Sequence, residues 1–278
     1  EVIHSPTKLP KKLIDIAPKK NITKQTKWRG IGYDILFGLL YLLKKHKNDC
    51  MPFKNYKSID IYEDVSIQYL CRKLRYKEKF SIHYPSKIQE RSFFSNLKKC
   101  IHKNKRFIVI PLLIGPVTCD YSSGHANILI FDTQLNEVER FETYGLAAEE
   151  FTDNWIYDEF DKEFSKIVKK YLNYTYLRPF EICPDEGLQE IEEQNIYEGI
   201  ASIRPGDPGG FCGAWTIFYA DMRLTYPNIS QYNVQKKVIQ IIKKHPITFR
   251  KFIRNYSEFI INIRKQLGVK QQLLTPHE

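Results

Sequence analysis

The stretch Asp207-Pro208-Gly209-Gly210-Phe211-Cys212-Gly213-Ala214-Trp215 constrains this chain more than any other. A run of turn-forming residues passes through one phenylalanine into a cysteine. Apolar side chains then fall at Trp215, Phe218, Tyr219 and Met222. That i, i+3, i+4, i+7 spacing predicts a helix with one buried face. Cys212 is thereby placed at or just before a helix N-terminus, where free backbone N–H groups and the positive end of the macrodipole favour a thiolate. A thiol so placed is a candidate nucleophile. The same position also suits a structural cysteine that caps a core helix.

A chain of 278 residues with 42% hydrophobic and 14% aromatic residues has material for a substantial core, and this excludes a disordered protein. The formal charge of +11 leaves a basic surface, open to nucleic acid, an acidic protein partner or solvent alone. Six cysteines (Cys50, Cys71, Cys100, Cys119, Cys183 and Cys212) show no CxxC and no paired spacing with histidine. No metal site is expected from them, no disulfide framework either, and the simplest setting is a reducing, intracellular one. No apolar run is long enough to span a bilayer, so no membrane partner is expected. A start at Glu1 reads as a piece of a longer product.

Residues 1 to 25, rich in Lys and Pro, read as an extended lead-in. Helices are expected over Tyr33 to His46 and Ser92 to His102, while Asn48 to Pro85 gives no firm assignment. Arg106 to Ile114 is a continuous apolar run suited to a central strand up to Pro111. His125 to Asp132 and Val138 to Glu142, joined by a turn at Gln134 to Asn136, form a hairpin. A helix over Phe164 to Leu172 and a strand over Tyr174 to Ile182 follow, and Cys183 to Gly206 is acidic and less regular. Behind the Cys212 helix, Ser230 is a candidate N-cap for a helix that ends near Pro246, and a last helix runs from Phe249 to Ile263. No linker clearly divides the chain. The working division is a basic extension and helical region over 1–104 and a core with C-terminal helices over 105–278.

Nucleophilic cysteine chemistry needs a base beside the thiol, a group that orients the base, and donors for the oxyanion. The hairpin offers the first two. His125 stands at a strand start after Ser122-Ser123-Gly124, and Glu142 ends the returning strand, so antiparallel pairing brings the two together. A carboxylate beside histidine fixes its tautomer and raises its pKa, which favours a thiolate–imidazolium pair.

Gly124-His125-Ala126-Asn127, then Glu139-Arg140-Phe141-Glu142-Thr143-Tyr144-Gly145, then Phe211-Cys212-Gly213 opening a helix, resemble the adenain/SUMO-protease group of cysteine proteases. That group includes SUMO and ubiquitin-like-modifier proteases, the adenovirus endopeptidase and processing proteases of large DNA viruses. The order His125, Glu142, Cys212 matches the group's order, and Phe141 to Gly145 is similar to the FEPFG segment of the adenoviral enzymes. Together with the order of elements, the resemblance implies an α+β fold, a mixed central sheet flanked by helices with the nucleophile at a helix N-terminus. It covers roughly residues 105 to 225. The resemblance implies His125, Glu142 and Cys212 as catalytic residues, no cofactor, and hydrolysis of peptide or isopeptide bonds after Gly-Gly or Gly-X. Expected substrates are ubiquitin, a ubiquitin-like modifier or a viral structural polyprotein, met by a monomer in host cytoplasm or virion. Two departures stand out. No Gln occupies positions 204 to 211, which leaves Asp207, Gln194 or Gln189 as oxyanion candidates, and Ala126 replaces the Trp that follows the histidine in many members. The other class the sequence supports is a degenerate protease fold that binds DNA or an acidic partner through its basic surface.

Overall fold

The computed structural model describes residues 27–30, 32–52, 66–74, 77–85, 88–115, 118–119, 124–146, 155–194 and 210–263. The lead-in expected over residues 1 to 25 and the residue Asp207 lie outside them. The elements run α1 (Gly32–Lys45), β1 (Asp49–Cys50), β2 (Ile67–Leu74), β3 (Lys77–His83), α2 (Glu90–His102), β4 (Phe107–Ile114), β5 (His125–Asp132), β6 (Glu137–Phe141) and α3 (Trp155–Leu172). After them come β7 (Thr175–Leu177), α4 (Pro179–Ile182), α5 (Leu188–Glu193), α6 (Cys212–Thr225), α7 (Gln231–Lys243) and α8 (Phe249–Ile263).

The fold is α+β, as the sequence implies. One mixed sheet runs in the order β3-β2-β4-β5-β6-β7, with β1 also paired to β4. Pairing is antiparallel within β2–β3, β4–β5 and β5–β6, and parallel where β2 and β1 meet β4 and where β7 meets β6. β4 continues past Pro111, which falls between the residues paired with β1 and those paired with β2. That is where a residue without an N–H costs the ladder least.

Two apolar layers cover the sheet. On one face Ala126, Ile128, Ile130 and Phe141 pack against α1, α6, α7 and α8. On the other, Ile108, Ile110, Leu129 and Phe131 pack against Phe93, Phe94 and Leu97 of α2 and Phe160, Phe164 and Val168 of α3. The two-residue period of a strand sends alternate side chains into each layer.

Helix α6 departs from the expectation of one buried face: every residue from Gly213 to Leu224 is buried. Ala, Trp, Ile, Phe, Tyr, Met and Leu dominate it, and a helix apolar all round belongs in the interior. Its charged residues are paired. Asp221 takes Lys45 Nζ at 2.7 Å, His46 Nε2 at 2.7 Å and the Tyr41 hydroxyl at 3.1 Å. Arg223 holds Glu139 at 3.1 Å. On the α1 side, a side chain at Gly38 would come within 2.6 Å of Ile217 Cγ1, so only glycine lets the two helices approach so closely.

Elsewhere the structure corrects the sequence reading. The unassigned stretch before Pro85 holds β1, β2 and β3. Helix α3 begins well before Phe164. The strand expected over Tyr174 to Ile182 stops at Leu177, because Pro179 opens α4 and the Glu181 carboxylate accepts the Arg178 N–H at 2.7 Å. Cysteine pairing is the largest correction. Cys50 is bridged to Cys100 and Cys71 to Cys119, across sequence separations of 50 and 48 residues, leaving Cys183 and Cys212 free among the described residues. The partners are distant in sequence and meet only once β1, β2 and α2 are in place. Their pairing removes the argument from unpaired cysteines to a reducing compartment.

Each bridge closes a loop whose chain-entropy value is at most about 4 kcal/mol. Reduction of both bridges is expected to lower the unfolding free energy by no more than about 8 kcal/mol, read as a lower denaturant midpoint, and non-reducing peptide mapping should recover both cross-links. Six free thiols in the native protein would contradict this.

Candidate active site

The β5–β6 ladder sets the site. Its register runs from Asp132↔Glu137 to Ile128↔Phe141, with Asn136 at φ 55° in the turn, a left-handed conformation that asparagine tolerates. Continuing that register sets Glu142 opposite Asn127, with His125 as its diagonal neighbour on the same face of the ribbon. His125 Nε2 and Glu142 Oε1 lie 2.5 Å apart. The same carboxylate oxygen accepts the Tyr144 N–H at 3.2 Å. The first turn of α6 meets the same sheet end, where Cys212 lies close enough to the His125 ring for each to shift the other's ionisation, beside the backbone of Ala126 and Gly213. The three residues singled out in the sequence are thus brought together.

Their charges support one another. Burial pushes the Cys212 thiol up, but the hydrogen bond and charge of His125, with the backbone of Ala126 and Gly213, leave it below its ordinary value. For His125, burial alone would favour the neutral ring; Glu142 and Cys212 outweigh it and raise the pKa to about 10. Glu142 is almost fully buried, which favours the neutral acid, yet His125, Arg140 and the Tyr144 N–H hold its carboxyl below the usual range. All three shifts run in the direction that favours a thiolate–imidazolium pair backed by a carboxylate.

A second hydrogen-bonded layer surrounds His125. The Tyr144 ring lies over it with centroids 5.3 Å apart, and the Tyr144 hydroxyl donates to Glu193 at 3.0 Å. Thr143 Oγ1 donates to Gln189 Oε1 at 2.8 Å and sits 3.3 Å from His125 Nε2. Of the oxyanion candidates, Gln194 is engaged with Glu190 at 2.7 Å at the end of α5, whereas Gln189 is the amide beside the loop into Cys212. A side chain at Gly210 would come within 3.2 Å of Gln189 Nε2. Both Gln189 amide hydrogens are already directed at Tyr144 and Glu193, at 3.0 and 2.9 Å. Its place is that of a tie between the hairpin end and the nucleophile loop. Trp215 is core, hydrogen-bonded to Glu192 at 2.8 Å and stacked near Phe252.

The turn after Glu142 is clamped by the segment that leads into α5. Gly187 N–H donates to Tyr144 O at 3.1 Å and Gln189 N–H to Thr143 O at 2.9 Å. A side chain at Gly187 would fall 2.2 Å from the Tyr144 carbonyl carbon. Sequence reasoning passed over Thr143, Tyr144, Glu193 and Arg140 as site residues. Only the short polar run behind Glu142 hinted at the first two.

No family model matches this chain. The protein named as ankyrin repeat protein L371 of Acanthamoeba polyphaga mimivirus is 31% identical over 277 residues, covering 94% of this chain; the chain spans 35% of that protein's length. Among solved structures, ChlaDub1 from Chlamydia trachomatis superposes with a TM-score of 0.44 at 14% identity, covering 94% of this chain and 100% of that one. The Chlamydia trachomatis effector Cdu1 bound to ubiquitin gives a TM-score of 0.43 at 14% identity, covering 92% and 99% respectively. Both superpose only loosely.

Two outcomes are expected. Gly187→Ala must displace backbone at Tyr144, costing about 1–3 kcal/mol in unfolding and slowing Cys212 alkylation. Iodoacetamide should label native Cys212 at neutral pH faster than an ordinary thiol, the rate falling as pH drops through the depressed thiol pKa. In His125→Ala only the backbone of Ala126 and Gly213 still opposes the burial penalty, so half-maximal rate moves to the alkaline side. A pH–rate profile for Cys212 that is the same in wild type and His125→Ala would contradict the geometry.

Proposed function

We propose that this chain is a thiol protease in which Cys212 is the nucleophile, His125 the general base and acid, and Glu142 the group that orients His125. The observation that carries the reading is the contact sequence Cys212–His125–Glu142 at one end of the sheet. The thiolate attacks the carbonyl carbon of a peptide or isopeptide bond. His125 then gives its proton to the departing amine, leaving a thioester on Cys212. Water attacks the thioester, with His125 accepting its proton, and the acid product leaves as the thiolate–imidazolium pair re-forms. Free N–H groups at the start of α6 are the candidate donors for a developing oxyanion, and the macrodipole acts in the same direction.

The finer assignment is a protease of the adenain/SUMO-protease type, acting after Gly-Gly or Gly-X on ubiquitin, a ubiquitin-like modifier or a viral polyprotein. It rests on Gly124 to Asn127, Glu139 to Gly145 and Phe211 to Gly213.

Cleavage of Gly-Gly peptide substrates is expected to fall by at least about a thousandfold in Cys212→Ala and His125→Ala, and by a smaller factor in Glu142→Gln, where an amide keeps the geometry but not the charge. Ubiquitin and SUMO carrying a C-terminal electrophile separate the substrate classes. Labelling of Cys212 by one of them identifies that modifier; labelling by neither, with cleavage of polyprotein peptides, identifies a maturation protease. Full turnover by Cys212→Ala would end the proposal.

A further inference from the structure

The protease reading uses one oxygen of Glu142 and leaves the other unexplained. Oε1 faces His125 and the Tyr144 N–H. Oε2 is buried without a hydrogen bond among the described residues, and the cation facing it is Arg140 Nη1 at 3.6 Å. Arg140 is itself only 3% exposed, and its fork is fully engaged. Nε and Nη2 grip the two oxygens of Asp161 in α3, each at 2.8 Å, and Nη1 donates to Asn127 Oδ1 in β5 at 2.8 Å. Asp161 is fixed in turn by the Tyr176 hydroxyl of β7 at 2.6 Å. Three elements on the face away from α6 therefore converge on one guanidinium, which points its remaining edge at Glu142.

We propose that Arg140 is a positioning residue: locked by Asp161, Tyr176 and Asn127, it keeps Glu142 ionised and aimed at His125, and so sustains the Cys212–His125 ion pair. The inference rests on the protease reading of the same site. Its physical basis is that a buried carboxyl takes up a proton unless a cation opposes it. His125 is one such cation, but it loses its charge each time it hands its proton on. A guanidinium does not deprotonate in proteins, so its support lasts through the whole cycle. A Lys in its place would be a point charge without the planar fork that Asp161 grips. The Thr143 hydroxyl also donates to Glu142 Oε1 at 3.4 Å, and the other titratable groups near Glu142 are Tyr144 in the following turn and Cys183, whose Sγ lies 4.0 Å from Glu142 O. Burial keeps both neutral across the working range, pushing Cys183 up to about 12. Neither supplies the missing charge.

The test uses the full chain with Arg140→Gln and Asp161→Asn together, so that no buried charge is stranded, and Tyr176→Phe as a milder single change. Two readouts are taken: the carbon-13 titration of the Glu142 carboxyl and the pH dependence of Cys212 alkylation. In the double variant the Glu142 midpoint should rise by roughly one to three pH units. The acid limb of alkylation should move up with it, while the alkaline limb does not move down. Tyr176→Phe should shift both in the same direction by less. In a Glu142→Gln background, adding the pair should leave the limb where Glu142→Gln alone puts it. A folded double variant whose Glu142 midpoint is unchanged overturns the inference, as does a slower alkylation rate with an unmoved limb. Should circular dichroism show the double variant unfolded, an unmoved Glu142 midpoint in Tyr176→Phe overturns it instead. The carboxyl titration reads Arg140 whether or not the thiol is activated. An ordinary wild-type thiol would therefore end the protease reading separately.

Discussion

Burial of α6 on every side is the constraint from which the remaining architecture follows. Such a helix needs a sheet on one side and other helices around the rest, and it gets them from β5 and β6 and from α1, α7 and α8. Each large side chain taken out of water contributes about 1.5–3 kcal/mol, and Trp215, Phe218, Tyr219 and Met222 are all but fully enclosed. The polar residues of the helix restrict it further. Asp221 and Arg223 are buried charges that must be paired, and their partners, Lys45, His46 and Glu139, fix the helix's rotation and height against α1 and β6. With rotation and height fixed, the N-terminal residue Cys212 has one place to go, the end of β5.

At that end the two faces of the sheet meet. The helix bearing the thiol belongs to one face; Arg140, Asp161 and Tyr176 belong to the other. A strand alternates its side chains, so Glu139 and Phe141 turn towards α6 while Arg140 turns towards α3. Glu142 sits where β6 ends and the turn begins, within reach of both sides. A carboxylate at mid-strand would be committed to one layer. Placed at the strand end, it touches a histidine in front and a guanidinium behind.

How much of this was legible follows from the kind of signal each element leaves. The β5–β6 hairpin was visible because both strands carry strong apolar content and a recognisable turn, and the register then put His125 beside Glu142. Helices α1, α6, α7 and α8 showed through their spacing. Strands β2 and β3 did not, because Arg72, Lys73, Lys77, Glu78 and Lys79 lie among their residues, and β3 is an edge strand whose charged side chains face solvent. The cysteine bridges are tertiary facts with no local trace. Arg140 was hidden for a related reason. In Val138-Glu139-Arg140-Phe141-Glu142 three of five residues are charged, which looks like a solvated strand, and only the distant Asp161 and Tyr176 show that the face bearing Arg140 is buried. Gln189 was named in the sequence for the oxyanion and is placed instead as a tie between Thr143, Tyr144 and Glu193.

The site also shows why burial and charge need not oppose each other. Cys212, His125, Glu142, Arg140 and Asp161 form a row in which negative and positive groups alternate. Burial opposes the charged form of Cys212, His125, Glu142 and Arg140 alike, and is the largest single influence on each. Taken together, every interior member has an opposite charge on both sides, and the low dielectric that penalises an isolated ion strengthens each of those attractions. The terminal members are served differently. Asp161 has the Tyr176 hydroxyl, and Cys212 has the backbone at the start of α6. The thiol at one end is thereby linked, through His125 and Glu142, to groups on the far side of the sheet.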